Sequence, residues 1–234
     1  MLAFKHCKDR EVLLEILKQK PDLNIIHENN YNIPMLAFEQ CKDREVLLEI
    51  LKQKPDLDIQ NRYKFTVTML AFKHCKDKEV LLEILKQKPN LDIQNDNGLT
   101  VMFYAIEFCN DKEVLLEILK QKPNLNNSSN IYNMSIPLHA FLQCTYKEVL
   151  FEILNQKPDL NIIVYNDKSI LHYAFQYYIN SPEFDFQVLE KLYDQSNDTH
   201  KELFNLKYIK LRRKYKVMPL VLFRHHKRYG VTKN

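Results

Sequence analysis

The chain has 234 residues, with 34 Lys and Arg against 30 Asp and Glu for a net +4, and is 45% hydrophobic and 27% charged. That balance excludes a compositionally disordered chain. The only two glycines, Gly98 and Gly230, exclude the glycine-rich loops that cradle phosphates or dinucleotides, and no apolar run reaches the ~20 residues of a membrane-spanning helix.

In chain order, one 17-residue text dominates. CKDREVLLEILKQKPDL at 7–23 returns unchanged at 41–57, and close copies stand at 75–91, 109–125 and 144–160. Each copy predicts the same elements. A short apolar segment such as MLAFEQC (35–41) forms a first helix. Asp43 stands where an N-cap accepts backbone N–H groups, and Glu45 suits the first turn of a helix dipole. Val46, Leu47, Ile50 and Leu51 lie on one helical face, with Glu49, Lys52 and Gln53 pointing elsewhere. Pro55 stops the helix by pushing Lys54 out of the α region. The same logic covers Asp9–Pro21, Asp77–Pro89 and Asp111–Pro123. About a dozen residues without helical period follow each proline, and Asp96-Asn97-Gly98 is a turn signal in which Gly tolerates positive φ. Each unit therefore reads as helix, tight turn, helix and hairpin-like loop. One such unit cannot bury its apolar face; stacked neighbours can. Met1 occupies the place of Met35 and Met69, so the chain opens inside a unit, either as a natural cap or as the remnant of a longer array.

Each of the five copies carries one cysteine: Cys7, Cys41, Cys75, Cys109 and Cys144. No unit owns a pair, so the expectation is reduced, half-buried thiols in an intracellular, cytoplasmic protein. The start, MLAFKHCKDR, is charged within five residues and does not read as a signal peptide. The His6-Cys7 and His74-Cys75 pairs cannot chelate one ion, because adjacent helical residues diverge by about 100°. Equivalent cysteines one repeat apart stand about 10 Å from each other, too far for zinc with its ~2.3 Å sulfur bonds.

A period of 34 with long connections and no Trp resembles the ankyrin-repeat family. GLTVMFYA at 98–105 resembles that family's Gly-x-Thr-Pro-Leu-His-x-Ala entry at Gly98, Thr100, Met102 and Ala105. SILHYA at 169–174 matches it at Leu171, His172 and Ala174, and IPLH at 136–139 keeps Pro137, Leu138 and His139. EVLLEILKQKPNLN is similar to the family's second helix and exit. Two departures stand out. Lys20, Lys54, Lys88, Lys122 and Lys157, each before a proline, replace the glycine after the second helix, so termination is expected from proline stereochemistry and not from a left-handed glycine. The alanine of the first helix also reads one place early in repeats 1, 2, 3 and 5 relative to repeats 4 and 6.

The resemblance implies an all-α ankyrin-type helical solenoid of about six helix-pair repeats with β-hairpin-like loops and a C-terminal helical cap. The units fall near 1–33, 34–67, 68–100, 101–135, 136–168 and 169–200, followed by a basic cap or tail at 201–234. It also implies that His139 and His172 steady the entry to the first helix. The ladder of Glu15, Glu49, Glu83, Glu117 and Glu152 beside Lys18, Lys52, Lys86 and Lys120 reads as surface i, i+3 pairs.

The loop tips differ most between units, and Tyr31, Arg62, Tyr63, Phe65, Tyr132 and Tyr165 are placed on or near them. Tyr and Arg are frequent binding hot spots. The expected function is thus a non-enzymatic, monomeric module that binds a partner protein through its loops and concave helix face, with no cofactor. No motif supplies a nucleophile with a base, a metal cluster or a phosphate cradle. The alternative rests on residues 201–234, where eleven Lys and Arg face only Glu202, a net +10 that leaves −6 on the first 200 residues. Arg212, Arg213, Lys214 and Lys216, then Arg224, Lys227 and Arg228, would serve nucleic acid, an anionic membrane or nuclear import.

Overall fold

A computed structural model describes residues 2–130, 134–160, 169–174 and 186–202. The chain divides into two compact units, residues 1–158 and 159–234. The first holds five helix pairs: α1 Leu2–His6 with α2 Arg10–Lys18, α3 Ile33–Gln40 with α4 Arg44–Lys52, α5 Val67–His74 with α6 Lys78–Lys86, α7 Val101–Phe108 with α8 Lys112–Lys120, and α9 Ile136–Gln143 with α10 Lys147–Asn155. First helices pack on first helices in one row, second helices on second helices in another. In the second unit residues 170–174 are helical, and α11 (Phe186–Gln195) buries Val188, Leu189 and Leu192.

The caps form where the sequence places them. Asp9, Asp43 and Asp111 each accept two N–H groups of the following helix, and Asp77 accepts that of Val80. Tyr146 interrupts the series and makes no side-chain cap bond. The predicted apolar face of α4, Val46, Leu47, Ile50 and Leu51, is buried throughout. Val46, Val80 and Val114 are fully buried between neighbouring repeats, while Val12 is 46% exposed. Fully burying such a side chain is worth about 1.5–3 kcal/mol, which is how stacking, and not the single unit, holds the structure.

The helix exits differ from expectation. Pro55 does deny Lys54 the right-handed region, but Lys54 turns to φ +51°, and Lys20, Lys88, Lys122 and Lys157 do the same at +49° to +54°. The left-handed exit typical of a glycine cap survives with lysine in the glycine's place. Half of the usual capping pair remains, because Lys54 N–H reaches Leu51 O at 3.0 Å, while the following proline has no N–H for the other half. A left-handed lysine costs about 1–2 kcal/mol, partly offset by the ~0.4–1 kcal/mol that a compatible proline contributes by restricting the unfolded chain.

The alanine offset vanishes in the structure. Asn32, Thr66, Thr100 and Ser135 are the N-caps of the first helices, and Ala37, Ala71, Ala105 and Ala140 follow each by five. Pro34 and Pro137 enter at the second helical position and made the match look shifted. That shift also separates the two histidines. His172 pairs with the capping Ser169, its Nδ1 2.9 Å from Oγ. His139 sits one step later and instead faces the preceding repeat, with its ring centroid 5.4 Å from that of Phe103 and Nε2 3.8 Å from Glu107 Oε2.

Neighbouring repeats are also bound by polar ladders. Gln53, Gln87, Gln121 and Gln156 each donate Nε2–H to a carbonyl at the end of the preceding second helix, Leu17, Leu51, Leu85 and Leu119, at 2.7–2.9 Å. Far from pointing away, these glutamines staple one helix end to the next. A second ladder runs through the loops, where Asn24, Asp58 and Asp92 accept the N–H of Asp56, Asn90 and Asn124. A third joins Arg44 to Asp77 and Glu79, Lys78 to Asp111 and Glu113, and Lys112 to Glu148. The predicted i, i+3 pairs form at 2.8–2.9 Å from Glu15–Lys18 to Glu117–Lys120 on an exposed face.

Candidate functional site

The loops between helix pairs close as tight turns, with single antiparallel bridges Gln60–Thr66 and Ser128–Ser135. In the turn at 61–65 the buried Asn61 organises the tip. Its Oδ1 accepts the N–H of Tyr63 (2.9 Å) and Phe65 (3.0 Å), its carbonyl accepts that of Lys64, and its own N–H reaches Phe65 O. Asn95 repeats the arrangement for Asn97 and Leu99. The fourth residue takes positive φ in both, Lys64 at +58° and Gly98 at +73°. At Gly98 the glycine is required twice over, since a Cβ would also lie 2.9 Å from Asn130 N. Consecutive tips are tied edge to edge through Arg62 N–H to Asn29 O, Asp96 N–H to Tyr63 O and Asn130 N–H to Asn97 O. The tips therefore form a continuous backbone-bonded edge.

On this edge Tyr63 is 48% exposed. Arg62 is also exposed, its guanidinium 4.7 Å over the Tyr63 ring and its Nη1 bonded to Asn29 Oδ1 at 2.8 Å. Below the tips lies an aromatic row. Phe65 packs on Tyr104 at 5.6 Å between centroids, and Tyr104 stacks on Phe108 at 6.3 Å. Lys73 lies 5.0 Å over Phe65, and Lys76 lies 5.4 Å over Phe108 while donating to the Phe108 carbonyl. Asn95 Nδ2 donates to Tyr104 Oη at 2.7 Å.

The site residues read from the sequence thus separate into two kinds. Arg62 and Tyr63 project. Tyr31 and Phe65 are half-buried: Tyr31 donates its hydroxyl to Glu39 at 3.0 Å, and Phe65 belongs to the aromatic row. Tyr132, Tyr165 and the tail residues from Arg212 to Arg228 lie outside the described residues. Tyr104, Phe108, Lys73 and Lys76 join the site without having been singled out. The aromatic character of VMFYAIEF was the available signal, but it reads equally as core.

Burial governs the titration of the groups in and around the site. Burial, then the Glu39 hydroxyl bond, pushes Tyr31 up to about 12, and burial pushes Tyr104 up to about 12. Burial likewise raises the thiols of Cys41, Cys75, Cys109 and Cys144, keeping them protonated and unreactive. Among the described residues no group of three or more His, Cys, Asp or Glu is placed to hold a metal ion, and no helix is long and apolar enough to cross a membrane. A pocket of about 200 Å³ lies beside Lys5, His27, Tyr31 and Glu39, and open grooves of about 500 Å³ lie between successive helix exits, at Pro55 and Gln87 and at Pro123 and Gln156.

No protein-family model matches the chain, and no curated protein matches it. Solved structures do. An ankyrin repeat domain from Acinetobacter baumannii is similar at 16% identity, covering 83% of this chain and 95% of that one with a TM-score of 0.64. The ankyrin repeat domain of Bcl-3, a member of the IkappaB protein family, is similar at 18% identity over 78% of this chain and 76% of that one, TM-score 0.53. A chain from the complex of a predatory endopeptidase from Bdellovibrio bacteriovorus with an immunity protein is similar at 20% identity over 81% of this chain and 95% of that one, TM-score 0.58. The helix pairs, the bridged turns and these likenesses agree: the chain has the all-α ankyrin-repeat fold.

Proposed function

We infer that the protein is a non-enzymatic interaction module that binds a partner protein through the tip edge and the aromatic row of the first helices. The observation that carries this reading is Tyr63, a large aromatic left half in water on a turn that backbone bonds to both neighbouring tips hold in place. A rigid, exposed Tyr beside an Arg is the composition of a binding hot spot, and the fixed backbone lowers the ordering cost of association. One of the similar structures is itself a complex of two proteins, which supports the same reading. The test is co-purification from cells that naturally contain the protein, comparing wild type with Tyr63→Ser and Arg62→Ala. A specific protein retained by wild type and lost from both variants, with unchanged thermal unfolding, is the expected result. Retention of the same proteins by all three refutes the role of the tip. Phe65, packed on Tyr104, is unsuited to this test because its loss would also disturb the fold.

A second reading is favoured by the net +10 on residues 201–234, which suits nucleic acid or an anionic membrane. Phosphate contacts would make affinity fall steeply with salt and vanish on removal of 201–234; binding through Tyr63 would survive both.

A further inference from the structure

The ends of the first helices carry a charge pattern that the fold does not require. Around each cysteine, repeats one to three read Lys5, His6, Lys8; Glu39, Gln40, Lys42; and Lys73, His74, Lys76, whereas repeats four and five read Glu107, Phe108, Asn110 and Leu142, Gln143, Thr145. All five helices nevertheless end in the same way, with the cysteine N–H on the alanine carbonyl four residues back at 2.7–3.0 Å. A cation at a helix C-terminus can serve the macrodipole, but α7 and α9 close without one. The five lysines and two histidines of repeats one to three therefore need another explanation.

Four of these cations, Lys42, Lys73, His74 and Lys76, form one cluster. His74 lies within electrostatic reach of Lys73, Lys42 and Lys76, which add to burial in lowering its pKa against the opposing pull of Glu39. Glu39 is the single acid among these nine positions, and its carboxylate already accepts the Tyr31 hydroxyl. Lys42, His74 and Lys76 are exposed. Lys73 and Lys76 are held over the Phe65 and Phe108 rings, so two of the cations are pre-positioned beside an aromatic surface.

We propose that this rim of repeats one to three receives an acidic segment of a partner protein, its carboxylates on Lys42, Lys73 and Lys76 and an aromatic side chain against Phe65 and Tyr63. The inference rests on the protein-binding reading above and specifies the partner's chemistry. Three repeats at about 10 Å spacing span about 20 Å, the reach of about six extended residues. A peptide of that length stays on the cationic rim. A nucleic-acid strand would run past it onto a body that nets −6 over the first 200 residues, where further phosphates are repelled.

The test uses the full chain and a fluorescein-labelled six-residue peptide repeating Glu-Glu-Tyr, with a Lys-Lys-Tyr peptide of the same length and a 20-nucleotide oligothymidylate as comparisons, all followed by fluorescence anisotropy. The acidic peptide is expected to bind and the basic one not to. The double variant Lys42→Glu/Lys76→Glu should weaken binding at least ten-fold, and so should Lys8→Glu/Lys42→Glu, which spares the Lys76–Phe108 contact. Both are compared with wild type by thermal unfolding. Lys86→Glu/Lys120→Glu, the same charge change on the second helices, should leave the affinity within two-fold. Equal weakening by that control, no weakening by either rim variant, oligonucleotide binding that is tighter than the peptide's and weakened by the same rim variants, or no peptide binding overturns the proposal. If the Tyr63-dependent partner is still retained in that case, only the acidic-segment inference has failed and the interaction module stands.

Discussion

The glutamine ladder gives the sharpest test of how the repeats cohere. Replacing Gln53, Gln87 and Gln121 together by Ala removes three inter-repeat bonds of 2.8–2.9 Å. The carbonyls they leave are not orphaned, since Leu17 O, Leu51 O and Leu85 O also accept the N–H of Lys20, Lys54 and Lys88. The loss is then the net value of a hydrogen bond, about 1 kcal/mol each. The sites share no partner, so the losses add to about 3 kcal/mol, a large share of the ~5–15 kcal/mol that holds a typical domain. The matched control is Glu49→Gln/Glu83→Gln/Glu117→Gln, which breaks three exposed i, i+3 pairs and should cost under about 1 kcal/mol in all. Urea unfolding monitored by circular dichroism reads both. If the glutamine variant loses no more than the control, the ladder is decorative and cohesion is apolar alone. The isosteric Gln87→Glu adds a second arm. It puts a carboxylate against Leu51 O, so its pKa in the folded state rises above the unfolded value of about 4.3. The carboxylic acid can donate as glutamine does; the variant should match wild type below pH 4 and lose stability as pH climbs through the raised folded value.

Three further outcomes follow from the same geometry. Lys88→Val places a β-branched residue at φ +53° and should cost about 2 kcal/mol, while Lys88→Asn, which tolerates that region, should be neutral or slightly stabilising; urea midpoints separate them. Asp77→Ala removes the cap on Val80 N–H and the Arg44 pair and should cost about 1–1.5 kcal/mol, read in the same melts. Burial lowers the pKa of His139 from 6.5, against a smaller raising effect of Glu107. The neutral form is therefore the one folding favours, and its contribution is full above the unfolded pKa and lost as pH falls through the folded value. Wild type should lose stability below pH 6.5 more steeply than His139→Phe, in thermal melts across pH 5–8.

What the sequence disclosed was local. The aspartate caps, the Val-Leu-Ile-Leu face and the exposed Glu-Lys pairs each involve residues within one or two turns, so the 17-residue text contains both partners. The glutamine ladder did not show because its partners sit 36 or 37 residues away on backbone carbonyls that every helix end possesses; the glutamine betrays nothing by its own spacing. The left-handed lysines were missed because proline only forbids one region for the residue before it and leaves two others open. Tyr31 and Phe65 looked like free tips since their covers, Glu39 and Tyr104, come from another segment of the fold. Arg62 and Tyr63 are exposed as expected, because turn geometry alone projects them.

The identity of the copies now has a physical partition. Cysteine closes the first helix through its N–H, aspartate caps the second, four apolar residues fill the stack, glutamine reaches back and proline fixes the exit. The four apolar residues and the glutamine satisfy two neighbours at once, being covered by one repeat while gripping another, whereas the cysteine N–H bond, the aspartate cap and the proline exit act within their own unit. Lys52 and Glu49 meet no such double demand, and Asn155 takes the place of Lys in the fifth copy while still bonding Glu152. The lysine between cysteine and aspartate is likewise replaced by Asn110 in the fourth copy, where Asp111 still caps the helix. The positions flanking the cysteine lose their cations between repeats three and four, where the rim proposed for an acidic segment ends.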